Sequence, residues 1–128
     1  MSASTNKQLV TDYLNALSGQ PKTPQLIARF VSDPELLKHI QDAEAGFPAY
    51  DLIPEQIIAE GDLVAVRAVF RGVHRSTFAG IEATGKLVSA GLIIIYRIAE
   101  GRIAEHWMQF DTLSLLGQLK PAAETAAA

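Results

Sequence analysis

Apolar side chains recur at three- and four-residue intervals through the first third of the chain. Asn6 to Leu17 places Leu9, Val10, Tyr13, Leu14 and Leu17 on one stripe, the spacing of an amphipathic helix. Ser18-Gly19 stops it. Thr23-Pro24 offers an N-cap followed by proline at the first helical position, and Leu26, Ile27, Phe30 and Val31 form the next stripe. Asp33-Pro34 repeats that start for Leu36, Leu37, Ile40 and Ala43. This third helix should end near Gly46, ahead of Phe47-Pro48.

The period then shortens towards two. Ile53 to Ala59 is a candidate strand, Glu60-Gly61-Asp62 a tight turn, and Leu63 to His74 a β-rich run. A loop from Phe78 to Lys86 leads to the strand Leu87–Ile98. Ala99 to Arg102 reads as a hairpin turn, and Ile103–Phe110 as its return strand. Asp111-Thr112 can cap a last helix, Leu113 to Leu119. Helices first and antiparallel strands second give the fold class α+β, as one domain over 1–128. Residues 1–5 and 121–128 have little to bury and are expected to fray.

Strand parity carries this further. Ile103, Glu105, Trp107, Gln109 and Asp111 share one face of the last strand, while Ala104, His106, Met108 and Phe110 share the other. The preceding strand is apolar on both faces, with Leu92, Ile94, Tyr96 and Ile98 on one and Ile93 and Ile95 on the other. Both faces therefore need cover. The expectation is that helices cover one face, enclosing a pocket beside Trp107 and Asp111, and that a second copy of the chain covers the other.

Composition excludes several classes. Apolar residues are 48% and charged residues 20% of the 128 residues, ordinary globular values. A net charge of −3 and the lack of any Lys/Arg run give no reason to expect nucleic acid. There is no cysteine for a disulfide, a thiolate site or a nucleophile. The N-terminus shows no signal-peptide core, and Gly91–Tyr96, the longest apolar run, is too short for a membrane span. Cytoplasmic is the default location.

Candidate chemistry rests on few residues. Asp111 reads two ways. It is a general base with a pKa raised by burial at the pocket mouth, or it is the N-cap of the last helix. His74 ends an apolar strand face and could polarise a carbonyl, or it is a half-solvated loop histidine. His39, Tyr13, Tyr50, Phe70 and Trp107 are the candidate pocket residues, and His106 is assigned a structural role. No His-x-His, His-x-x-x-His or Glu-x-x-His pattern occurs, so no metal is expected. No Gly-x-Ser-x-Gly elbow occurs either.

Several motifs together resemble the SnoaL-like polyketide cyclases. Ala59-Glu-Gly-Asp62 with Val64 and Val66 is similar to that family's AEGD-x-V-x-V turn. Gly72-Val-His74, Phe78-Ala-Gly80 and Thr84-Gly85-Lys86 resemble its G-x-H…F-x-G…T-G-K loop. Tyr96-Arg-Ile98, Gly101-Arg-Ile103 and Glu105-His-Trp107 with Asp111 resemble its closing strands, and Gln118-Leu119 its end. Ser76 and Glu82 depart from the usual Gly and Pro. The resemblance implies a nuclear transport factor 2-like fold: a cone of curved antiparallel sheet with N-terminal helices packed over an apolar pocket. It implies a cofactor-independent enzyme, often oligomeric, whose Asp at the Asp111 position is the acid/base of an aldol-type ring closure. Proton abstraction α to a carbonyl of an apolar small molecule is the expected activity. A non-catalytic binding or assembly domain of the same fold is the alternative.

Overall fold

The computed structural model describes residues 2–120, in which helices precede a four-stranded antiparallel sheet of strand order β1-β2-β3-β4. The helices α1 (Ala3–Leu17), α2 (Pro24–Ala28) and α3 (Pro34–Gly46) come first. The strands are β1 (Asp51–Glu60), β2 (Leu63–Val73), β3 (Leu87–Ala99) and β4 (Arg102–Phe110), followed by α4 (Thr112–Leu119).

Helix α1 begins at Ala3 rather than at Asn6. The hydroxyl of Ser2 accepts from Thr5 N at 3.1 Å and satisfies an otherwise unpaired donor of the first turn. Residues 2–5, expected to fray, are therefore cap and helix. The same expectation for Met1 and 121–128 lies outside the described residues. Thr23 and Asp33 cap α2 and α3, each with proline at the first helical turn. Helix α2 is shorter than its apolar stripe, because the chain after it pairs with β4 instead. Ile103 N donates to Phe30 O at 2.7 Å and Ser32 N to Ile103 O at 2.9 Å.

The β3–β4 hairpin turns through Glu100 and Gly101, both at positive φ (53° and 74°), as the hairpin-favoured turn requires. Pro54, which lacks an N–H, marks the point where β1 slips register against β2.

Sheet register decides which face the helices cover. Val66 pairs with Ile94, and Ile94 with Met108; Ala68 pairs with Leu92, and Leu92 with Phe110. One face thus runs from Val64, Val66, Ala68 and Phe70 through Leu92, Ile94 and Tyr96 to His106, Met108 and Phe110. The buried residues Val10, Tyr13, Leu14 and Leu17 of α1, Ile27 of α2 and Leu36 and Ile40 of α3 belong to the same core. The opposite face carries Arg67, Arg71, Ile93, Ile95 and Trp107, and in the chain it is open. This reverses the expected arrangement. His106, not Trp107, lies on the face beneath the helices. The arginines of β2 are the reason, since a face holding two guanidinium groups cannot be the one that is buried.

Candidate active site

Between the helices and the inner sheet face lies a cavity of about 330 Å³. Its buried wall includes Tyr13 from α1, Leu36 and Ile40 from α3, Tyr50 after it, Phe70 from β2, and Ile94 and Tyr96 from β3. Towards the open side stand Met108 and Phe110 of β4, with His39, Asp42 and Thr112 exposed at the rim. The wall is thus apolar, with phenols inside and titratable groups at the edge. A volume of this size suits a small apolar molecule.

Three phenols, Tyr13, Tyr50 and Tyr96, contribute to the inner wall. Burial, joined by Tyr96 and Tyr50, holds the phenol of Tyr13 well above the ordinary value; burial and Tyr50 raise that of Tyr96, which its contact with Tyr13 partly offsets. Burial, with the nearby Glu44 carboxylate, does the same for Tyr50. All three stay protonated at neutral pH and remain hydrogen-bond donors. The rings of Tyr13 and Tyr96 meet edge to face, 5.8 Å between centroids. Among the described residues the buried hydroxyl of Tyr96 has no hydrogen-bond partner, although Tyr13 is close enough to influence its ionisation.

A second polar group lies behind the rim. Asp33 Oδ1 caps α3, accepting from Glu35 N at 2.9 Å and Leu36 N at 3.3 Å. Its other oxygen, Oδ2, is 2.7 Å from Nδ1 of His106. The pair is nearly sealed from water, its side chains 9% and 4% exposed. Burial alone would raise the Asp33 carboxyl. The hydrogen bond from His106 and those from the Leu36 and Glu35 amides outweigh it and hold the carboxyl below its ordinary value. The His106 ring packs against that of His39, 5.3 Å between centroids and 80° between planes.

The structure distributes the sequence-predicted residues unevenly. Tyr13, Tyr50, Phe70 and His39 line the cavity. Trp107 does not. It lies on the open face, 52% exposed, opposite Ile95. Asp111 shares that outer side, as parity required, and is exposed rather than enclosed. Its Oδ1 accepts from Ser114 N at 3.0 Å, so it caps α4, and it borders a shallow depression with Glu55, Arg67 and Gln109. His74 is fully buried and not half in water, because the 74–86 loop folds back over it. Its Nδ1 accepts from Thr84 N at 3.1 Å, which leaves the ring proton on a buried Nε2 beside Phe47. It organises the loop and does not line the cavity.

Sequence reasoning missed the Asp33–His106 pair, Asp42 and the cavity positions of Tyr96, Met108 and Phe110. The signal for Asp33 was hidden by its role as a helix cap. The signal for His106 was present in the arginines of β2, which fix the outer face through the register. Among the described residues no group of three or more His, Cys, Asp or Glu side chains is arranged to hold a metal ion. No described helix is long and apolar enough to cross a membrane.

The profile of the SnoaL-like polyketide cyclase family matches residues 10–119. No functionally curated protein matches the chain. Among solved structures, TsrD from Streptomyces laurentii is 26% identical, with a TM-score of 0.77 over 93% of this chain and 97% of that one. IdmH from Streptomyces antibioticus, described as a candidate polyketide cyclase, is 25% identical, with a TM-score of 0.72 over 89% and 97%. AclR from Streptomyces galilaeus, described as a candidate hydroxylase, shares the fold at 24% identity, with a TM-score of 0.80 over 98% and 90%. The curved antiparallel sheet with packed helices is that of the nuclear transport factor 2-like proteins.

Proposed function

Because the chain belongs to the SnoaL-like polyketide cyclase family, we propose that it is a cyclase-type enzyme acting on an apolar, carbonyl-bearing small molecule. The observation that carries this reading is the apolar cavity of about 330 Å³ with protonated phenols in its inner wall. An apolar body fills such a space by the hydrophobic effect. A carbonyl oxygen that reaches the sealed Tyr96 hydroxyl gives it an acceptor, which it lacks among the described residues. The same donor stabilises negative charge that develops on that oxygen when an adjacent C–H is deprotonated. Ring closure then follows within one bound, folded molecule, where the reacting carbons are already close.

The family pattern directs the acid/base role to Asp111. The geometry supports it less well than a group in the cavity wall, since the Asp111 carboxylate is engaged at Ser114 and is exposed on the outer side. The cavity itself is tested by calorimetric titration of 2-tetralone and of its hydrocarbon analogue tetralin. Wild type should bind the ketone more tightly. Tyr96→Phe should erase that preference, worth about 0.5–1.5 kcal/mol for one net hydrogen bond. Equal affinity for ketone and hydrocarbon in wild type would count against carbonyl recognition.

A further inference from the structure

We propose that His39 takes the α-proton of the bound carbonyl compound and that Asp33 and His106 are its positioning residues; this rests on the cavity reading above.

Asp33 has one carboxylate oxygen more than its cap requires. Capping α3 needs one carboxylate oxygen, and Asp33 Oδ1 supplies it to two amides. The second oxygen reaches 73 residues along the chain to His106. A carboxylate can only accept, so Nδ1 of His106 carries the hydrogen and the ring orientation is fixed. That fixed ring then meets His39 edge to face at 5.3 Å. His39 is the member of the three that lines the cavity, with its side chain 43% exposed at the rim. The arrangement is a base at the substrate, a ring behind it and a carboxylate behind that ring. Asp33 holds the His106 ring by a hydrogen bond, and that ring packs against the His39 imidazole and limits how it can turn at the rim.

The charges facing this group are few. On α3, Glu35 lies 3.9 Å from His39 Nε2, and Asp42, at the cavity rim, is paired with Lys38 at 2.8 Å. From the sheet, His106 faces it, with Tyr96 as the cross-strand partner of His106. Of these groups only Asp33 is a buried anion, and its contact is with the His106 ring.

The step balances without a co-reactant. The unprotonated nitrogen of His39 takes the α-hydrogen, the C–H bond breaks, and its electron pair moves to the carbonyl oxygen as an enolate. The α-carbon attacks a second carbonyl carbon of the same molecule, forming the C–C bond. The new alkoxide takes the proton back from His39.

The test follows α-hydrogen exchange of 2-tetralone in deuterated buffer by proton NMR. Wild type should accelerate exchange over buffer, and His39→Gln should lose roughly 100-fold or more of that acceleration. Asp33→Asn keeps a capping oxygen and should fold. It should slow exchange about tenfold at saturating 2-tetralone while leaving the affinity for 2-tetralone unchanged, because the His39 ring is then less well aligned and the cavity is intact. An unchanged saturated rate in Asp33→Asn, or a loss carried wholly by weaker binding, would overturn its positioning role. His106→Gln provides the same reading should Asp33→Asn not fold. Wild-type rates in His39→Gln, or a larger loss in Asp111→Asn than in His39→Gln, would overturn the assignment. Wild type that binds 2-tetralone without exchanging its protons overturns this inference and leaves the cavity reading standing. Failure to bind overturns both.

Discussion

Asp33 serves two masters with two oxygens, and its removal should be felt at both. Asp33→Ala deletes a helix cap, worth about 1 kcal/mol, and leaves the buried His106 donor unpaired, worth about 1–3 kcal/mol. Denaturant titration should therefore show a loss of about 2–4 kcal/mol in total. The pH dependence has a definite sign. The folded carboxyl is held below its ordinary value, so its contribution is present above the unfolded value of about 3.9 and is lost as pH falls through the lower folded value. Wild type should lose stability across that acidic window more steeply than Asp33→Asn. Lys22 offers a contrast, because its buried ammonium is fully engaged. It donates to Gln20 O at 2.8 Å and Tyr50 O at 2.6 Å, pairs with Glu44 at 3.6 Å, and lies over the Tyr50 ring. With no valence left for a ligand, Lys22 is a strut beneath the cavity wall.

At the scale of elements, close approach is bought with glycine. A Cβ on Gly72 of β2 would lie 3.0 Å from Phe47 Cβ and 3.1 Å from Tyr50 Cβ. The missing side chain lets the segment after α3 press Phe47 and Tyr50 onto Phe70, with ring centroids at 5.2 and 4.9 Å. Gly72→Ala should push that segment outward, destabilise the fold by about 1–3 kcal/mol and weaken ligand binding through Tyr50. Thermal unfolding and probe titration would show both effects. The elements themselves were largely legible: capping residues, Gly turns and strand alternation located every helix and strand to within a few residues. The side of the sheet was harder. β3 is apolar on both faces, so its own pattern cannot say which is covered. The decision sits in Arg67 and Arg71, on a neighbouring strand, and reaches β4 only through the register. The candidate site was less legible still, because Asp33 and His106 come together only when the segment leading into α3 pairs with β4 at Ile103.

For the whole molecule, the open sheet face is the outstanding feature. Ile93, Ile95 and Trp107 are 52%, 38% and 52% exposed and adjacent across β3 and β4. We propose that this contiguous apolar strip is an association surface. A second copy of the chain is the expected partner. Light scattering at micromolar concentration should give a dimer, and Trp107→Glu a monomer with the cavity unaffected. A wild-type monomer would remove the expectation.

One consequence concerns how such a protein changes its diet. Along β4 the inward side chains His106, Met108 and Phe110 are spaced about 6.8 Å apart, two strand residues at a time. The strand is a ruler, with His106 behind the cavity rim at one mark and Met108 and Phe110 on the cavity at the next two. Met108 and Phe110 are only half-buried, so trimming either should cost less than an excision from the sealed core. On the proposed function, lineages could lengthen or shorten the cavity at those two marks and leave the His106 end, anchored by Asp33 across the fold, unaltered.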